Sequence, residues 1–317
     1  MARSRSLLLA TALLIGIGAG ASAQTYPSRP VTMVVPFPPG GNTDLMARAL
    51  QTELSKTLNQ TVVIDNKGGA AGTLGLLDLV RAEPDGYTMA LSPNNPLTAQ
   101  PHLRQLRYSM NTFRFVCLTY YSPYVLIAGP QAPFKTFDEF VKFAKAKSEN
   151  LVYGHPGVAS QPHLGMMAVL KAIDAEALGV PFQGSGPLTH ALLNGTVMAV
   201  TETPAVAKAS NLPILAALSD ERVPGLPDVP TMRELGYPAL GFTAGGLIVP
   251  ANTPDAAVKT LEAACATAAA APDYKAIVER LGASPRYLPG SEFRKMFEQD
   301  SIEAADAIKR AGLGTTR

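Results

Sequence analysis

The chain has 317 residues, 47% hydrophobic and 16% charged, enough for two ordinary domains or one large α/β unit with packed cores. That balance excludes a disordered or collagen-like chain, and the 27 Gly and 27 Pro, scattered without period, read as turns between short elements. The formal charge is +2, with no basic run and no aromatic-basic alternation, so no nucleic acid partner is expected.

The opening is a three-part export signal. Arg3 and Arg5 precede an apolar run from Leu7 to Gly20, and Ala21-Ser22-Ala23 is an A-x-A site, with cleavage expected before Gln24. The run is too short and too Gly-rich for a transmembrane anchor. No Cys follows it, and no later stretch reaches spanning length. Removing the leader leaves 25 basic against 25 acidic residues, a formal charge of zero. Cys117 and Cys265 fit a disulfide in an oxidising compartment equally with two buried thiols, and their separation does not decide between them.

The mature chain alternates apolar runs with helical patterns. Strands are predicted over 31–35, 62–64 and 87–91, with helices over 45–58 and 73–82 between them. This opening implies a parallel sheet with right-handed crossovers. A second block follows, with strands over 115–120, 124–128, 151–153, 179–182, 197–200, 213–218 and 247–249. Its helices fall over 137–146, 163–173 and 188–193, and the C-terminal part is helical over 255–271, 273–281 and 291–311. Two α/β lobes with more than one crossing between them fit this pattern better than two separate beads.

Four Gly-rich turns lie between a strand and a helix, where open parallel sheets hold ligands. The first runs through Phe37, Pro38, Gly40, Gly41, Asn42 and Thr43 to Asp44, and the second from Asn66 through Gly72 and Thr73. The third contains His155, Gly157, Ala159, Ser160 and His163, and the fourth Gln183 and Gly184. Any one such turn reads equally well as punctuation, but four together point to a ligand. A helix start favours an anion by about 0.3–1 kcal/mol through its dipole, and each N–H bond to a carboxylate adds roughly 1.5–3 kcal/mol. Asp44 either caps its helix or repels an anion. Neither a phosphate-binding G-x-x-x-x-G-K-[ST] loop nor a G-x-S-x-G elbow occurs. Four His residues without H-E-x-x-H spacing and two Cys without a C-x-x-C partner predict no metal and no cofactor. Ser160 and His163, three residues apart, suit a helix cap and a ligand donor better than a nucleophile and base.

At these turns the sequence resembles the substrate-binding proteins of tripartite tricarboxylate transporters, the Bug family. The matching segments are Tyr26 to Val31, the PFPPGGNTD turn, NKGGAAGTLG from Asn66, PDGYT from Pro84, LPDVPT from Leu226 with Glu234 and Gly236, and PANTP from Pro250. The resemblance implies a two-lobed, type II-like periplasmic binding fold of class α/β, closing on a small carboxylate in the cleft between the lobes. It assigns 1–23 to the leader, 24–122 to the first lobe, 123–223 to the second, and 224–317 to a return into the first. It places Phe37 to Thr43 and Gly157 to His163 on the carboxyl group. Gly72, Thr73, Gln183, Gly184, Ser92, Pro93 and Asn94 occupy further cleft-facing turns. Thr201-Glu202 stands where the family usually has Phe-Asp, the segment before Leu247 lacks the family's Trp, and His155 replaces a small residue. These departures imply a roomier cleft with an extra cation-capable donor, favouring a larger or second-carboxylate-bearing ligand.

The expectation is therefore a periplasmic, monomeric solute-binding protein without catalysis. It captures a di-, tri- or aromatic carboxylate and delivers it to a permease with large and small membrane subunits. A periplasmic sensor reporting to a signalling kinase and a hydrolase using Ser160 and His163 are the alternatives.

Overall fold

The computed structural model describes residues 26–146, 150–223, 225–238, 241–310 and 313. The leader expected over 1–23, with its cleavage site, lies outside the described residues.

The chain opens with β1 (Val31–Val35), α1 (Asn42–Leu58), β2 (Val62–Asn66), α2 (Thr73–Arg81) and β3 (Thr88–Pro93). A short α3 (Asn95–Thr98) leads to the long strand β4 (Phe113–Pro123). The second block holds β5 (Val125–Ala128), α4 (Phe137–Ala146), β6 (Val152–His155), α5 (Gln161–Ala172), β7 (Leu178–Pro181), α6 (Ser185–Leu193), β8 (Ala199–Glu202), α7 (Pro204–Ala209) and β9 (Ile214–Ala217). The chain closes with β10 (Phe242–Pro250), α8 (Asp255–Ala270), α9 (Pro272–Arg280), β11 (Ser284–Pro289) and α10 (Gly290–Arg310).

Two sheets form, ordered β11-β4-β10-β3-β1-β2 and β7-β6-β8-β5-β9. As predicted, β1 pairs parallel with β2 and β3. The sheets are nevertheless mixed: β10 runs antiparallel to β3 and β4, and β5 runs antiparallel to β8 and β9. Strands that carry the chain between lobes re-enter a sheet without a crossover helix, and so need not run parallel.

Both faces of the first sheet are covered. Val31, Met33 and Val35 join a core with α1 and α8, while Val34 points to a second core holding Phe293 and Phe297 of α10. This is the two-residue period of a strand. Phe115, Phe293 and Phe297 meet edge-on at centroid distances of 4.6–5.9 Å, each pair adding about 0.5–1.5 kcal/mol beyond its burial. The second sheet is packed by Phe134, Phe137 and Phe140 on one face and Leu188 and Leu192 of α6 on the other. Cys117 of β4 and Cys265 of α8 are disulfide-bonded, with Cα atoms 6.5 Å apart, deciding the alternative that spacing left open.

The lobes are joined where β4 passes into β5 with Tyr124 alone between them. The Tyr124 N–H donates to Gly241 O at 3.2 Å, and its carbonyl accepts from Leu218 N–H at 2.7 Å. One residue thus ties the outward crossing to both ends of the return. The expected boundary at 224 is too early. Met232, Leu235 and Tyr237 pack into the second lobe's core, and Met232 N–H donates to Ala217 O at 2.8 Å. The chain rejoins the first sheet at Phe242.

Candidate ligand cleft

The starts of three helices meet where the lobes face each other. Gly41, Asn42 and Thr43 at the start of α1, Ser160 to Pro162 at the start of α5, and Ser185 at the start of α6 line a partly open cavity of about 50 Å³. The remaining wall includes Phe37, Tyr124, Glu202, Thr203 and Thr243. An adjoining cleft of about 320 Å³ is lined by Phe37, Pro38, 69–72, 156–158 and 181–184, with Arg104 as its cation. First-turn N–H groups without intrahelical partners, those of α1 together with Gln161 of α5 and Ser185 and Gly186 of α6, favour an anion, while Pro162 and Pro187 carry no N–H and His163 N–H goes to Ser160 Oγ.

The two lobes touch around this space. Asn95 Nδ2 and Gln100 Nε2 of the first lobe reach Ala159 O of the second at 3.3 and 3.4 Å. Two glycines permit close packing here, Gly72 within the first lobe and Gly184 across the lobes. Gly72 has φ +90°, and a Cβ there would lie 2.6 Å from Pro96 and 2.9 Å from Phe37. Gly184 has φ +106°, and its Cβ would meet Pro38 across the lobes at 2.9 Å. Both positions need the left-handed backbone that glycine alone adopts without strain.

The predicted residues divide by place. Phe37, Gly41, Asn42, Thr43, Ser160 and Glu202 line the small cavity. Phe37, Pro38, Gly72, Gly157, Gln183 and Gly184 line the adjoining cleft. Gly40, Thr73, Ser92, Asn94, His155, Ala159, His163 and Thr201 line neither space; most are tied into the scaffold around it. Gly40 N–H donates to Asp44 Oδ2 at 2.9 Å, and Thr73 Oγ1 to Ala70 O at 3.0 Å. Ser92 bonds the Pro93 carbonyl, Asn94 bonds Asp300 at 2.9 Å, and Thr201 bonds the Pro162 carbonyl. Asp44 neither caps α1 nor opposes a ligand. It accepts from Gly40, Arg48 and Asn66, and these bonds overcome the effect of burial and hold its carboxyl below the usual range.

One expectation is corrected. His155 is no extra cation. Its ring stacks on His163 at a centroid distance of 3.8 Å, and burial pulls its pKa down. Thr201 turns its hydroxyl to the Pro162 carbonyl and lines neither space. Ser160 takes the expected cap role, and His163 lines neither space. Ser160 caps α5, its Oγ accepting from His163 N–H at 3.3 Å, while His163 Nδ1 accepts from Ala159 N–H at 2.9 Å. Burial, followed by the nearby His155, lowers the His163 pKa to about 4.

Tyr124, Ser185, Thr203 and Thr243 were missed. Ser185 was visible as the hydroxyl inside the fourth Gly-rich turn, and Thr203 as the residue before Pro204, which opens α7. Glu202 is 2% exposed. It accepts from the Ser185 hydroxyl and from Thr203 N–H at 2.8 Å, while burial pushes its pKa up. Asn42 Oδ1 is buried without a hydrogen-bond partner, and the Thr203 hydroxyl is near enough to Glu202 to work against the rise in its pKa. A larger cleft of about 840 Å³ beside the hinge has Asp220, Glu221, Asp300 and Glu303 in its walls, a lining that repels anions. Among the described residues no His/Cys/Asp/Glu group fits a metal, and no helix is long and apolar enough to cross a membrane.

Comparison with known proteins agrees with this fold. Residues 46–313 match the model of the tripartite tricarboxylate transporter family receptor, TctC. BugT of Bordetella pertussis is 38% identical over 239 residues, covering 73% of this chain and 72% of that protein. The periplasmic binding protein BugD superposes with a TM-score of 0.86 at 31% identity, covering 91% of this chain and 99% of that one. MatC from Rhodopseudomonas palustris, solved with bound malate, superposes with a TM-score of 0.81 at 31% identity, covering 89% and 100%. These relatives are binding proteins rather than enzymes, and the chain belongs to the tripartite tricarboxylate transporter receptor family of solute-binding proteins.

Proposed function

We propose that this protein captures a small carboxylate between its lobes in the periplasm and delivers it, as a monomer in the closed form, to a permease of the tripartite tricarboxylate type. The observation that carries the reading is the convergence of three helix starts, from both lobes, on one small cavity. A carboxylate there bonds both lobes at once, so binding and closure are one event. Charge-assisted N–H bonds of roughly 1.5–3 kcal/mol each reach the −8 kcal/mol of micromolar affinity once ordering costs are met. The malate bound by MatC is a ligand of this chemistry.

A thermal-shift panel of succinate, malate, adipate, citrate and benzoate tests the reading. A ligand at 100 times its Kd stabilises by about 2.7 kcal/mol, roughly 4 °C for a chain of this length. No shift with any carboxylate, from folded and ligand-free protein, overturns it. Delivery is tested by uptake of labelled ligand into cells with and without this chain. Uptake that ignores the chain removes transport and leaves the sensor role.

A further inference from the structure

Glu202 is an unusual neighbour for an anion site. It ends β8, is almost fully buried and lines the same cavity as the three helix starts. No Lys, Arg or His lines that cavity, and no ion pair joins Glu202 to a cation among the described residues. Its oxygens meet the Ser185 hydroxyl and the Thr203 N–H. Ser185 in turn stands against the start of α1 across the lobes, since a Cβ on Gly41 would lie 3.4 Å from Ser185 Cβ. An ionised Glu202 and a ligand carboxylate in about 50 Å³ would be two anions within a few ångströms, an arrangement that drives one of them to take a proton.

We propose that Glu202 and Ser185 form a protonated relay, so that a carboxylate enters this cavity together with one proton held on Glu202. The proton comes from solvent and rests on Glu202 Oε1, which donates to Ser185 Oγ. The Ser185 hydroxyl hydrogen is then free to turn into the cavity and donate to the ligand carboxylate. No covalent bond beyond these O–H bonds changes. The relay makes the pocket selective for a carboxylate without an adjacent ammonium, because a neutral Glu202 offers no counter-charge. This inference rests on the carboxylate reading above and specifies its protonation.

Glu202 and Tyr124 are the ionisable groups in the cavity wall; Asp44 of α1, held low by its hydrogen bonds against burial, and Asp300 of α10, raised by burial, lie outside it. Tyr124, on the crossover, is pushed well up by burial and by Glu202 itself. On β6, burial raises Tyr153 and lowers His155, and on α5 it lowers His163. His190 of α6 and Lys171 of α5 are exposed. Lys208 of α7 bonds the Gly225 carbonyl at 2.7 Å. Burial raises Glu202 itself, in the sense the relay requires.

The experiment is calorimetric titration with succinate, malate and adipate over a pH series from about 6.5 to 9.5, where the ligands stay ionised. The expected result is affinity that falls by up to tenfold per pH unit over part of this range. Heats should vary with buffer in proportion to proton uptake. E202Q, which keeps the donor to Ser185 and the acceptor for Thr203, should flatten the profile. Aspartate, which is succinate bearing an ammonium, should bind at least about tenfold more weakly than succinate. A flat wild-type profile without proton uptake overturns the relay while leaving carboxylate capture standing. So does folded E202Q that binds no carboxylate, or a preference for aspartate. Failure of all three acids to bind removes the carboxylate reading and the relay with it.

Discussion

Closure of the lobes can be opposed at one atom without touching the fold. Gly41 has φ −82° and ψ 170°, an extended backbone that valine adopts freely. Its side-chain position faces Ser185 Cβ of the other lobe at 3.4 Å and the Pro38 carbonyl at 3.7 Å. A single methyl in Gly41→Ala makes ordinary contact there, whereas the γ-methyls of Gly41→Val have no room while the lobes touch. Overpacking of this kind costs about 1–3 kcal/mol, and only in the closed state. Both states bear the smaller cost, roughly 0.5–1 kcal/mol, of an apolar residue at a helix N-cap. The expected result for Gly41→Val is therefore about 5- to 150-fold weaker carboxylate binding, with a melting temperature of the free protein within about 2 °C of wild type. Gly41→Ala should fall between. Calorimetry gives the affinity, and small-angle scattering reports whether saturating ligand still contracts the protein. If Gly41→Val binds within about twofold of wild type and contracts on binding, ligand capture does not bring α1 and α6 together, and the closed cavity is not the binding site.

Other parts of the molecule yield independent expectations. The Cys117–Cys265 bridge spans 148 residues, so chain entropy predicts up to about 5 kcal/mol, and melting in the presence of a reductant should fall by up to about 8 °C; an unchanged melt refutes this. His163 has a folded pKa of about 4 against an unfolded value of about 6.5. The unfolded chain therefore binds the extra proton between these values. Stability from this group is complete above the unfolded pKa and is lost as pH falls toward 4, by at most about 1.4 kcal/mol per pH unit. Denaturation across that range should show a shallower slope in His163→Asn, whose Oδ1 keeps an acceptor for Ala159 N–H; an identical slope assigns the effect elsewhere. Arg104 is exposed at the wall of the outer cleft. Arg104→Ala should slow association of a dicarboxylate roughly three- to tenfold at low salt, with the difference closing near 0.5 M; stopped-flow rates independent of salt would deny it a steering role.

Local structure was readable wherever the pattern was local. The Val31–Val35 strand and the Phe137–Ala146 helix stand where alternation and spacing put them. β11 was missed because Pro285 and Pro289 interrupt a segment whose strand character comes from pairing with β4 at the sheet edge. β10 was shortened for a related reason. Gly245 and Gly246 carry no strand signal, yet they pair with Pro93 and Ser92 on one side and with β4 on the other. A Cβ on Gly246 would lie 1.9 Å from Cys117 O, so the missing side chains let these strands approach.

The candidate site was legible as a set of turns but not as a cavity. Each Gly-rich turn is a local statement about a strand that ends and a helix that begins. What the turns cannot state is which of their residues look inward once two lobes meet. Ser92, Asn94 and Thr201 sit at or just past strand ends beside the site yet spend their polar atoms on scaffold contacts. Tyr124 carries no turn signal, but as the one residue between β4 and β5 it reaches the cavity from the hinge. Electrostatics follow the same division. A sequence shows that Glu202 is acidic; only assembly shows that it is buried, without a cation, beside three helix starts. The charge of an acid in such a place is set by what shares its cavity. Selectivity here thus belongs to the closed molecule, and replacing a turn residue that faces away should change stability before it changes which ligand binds.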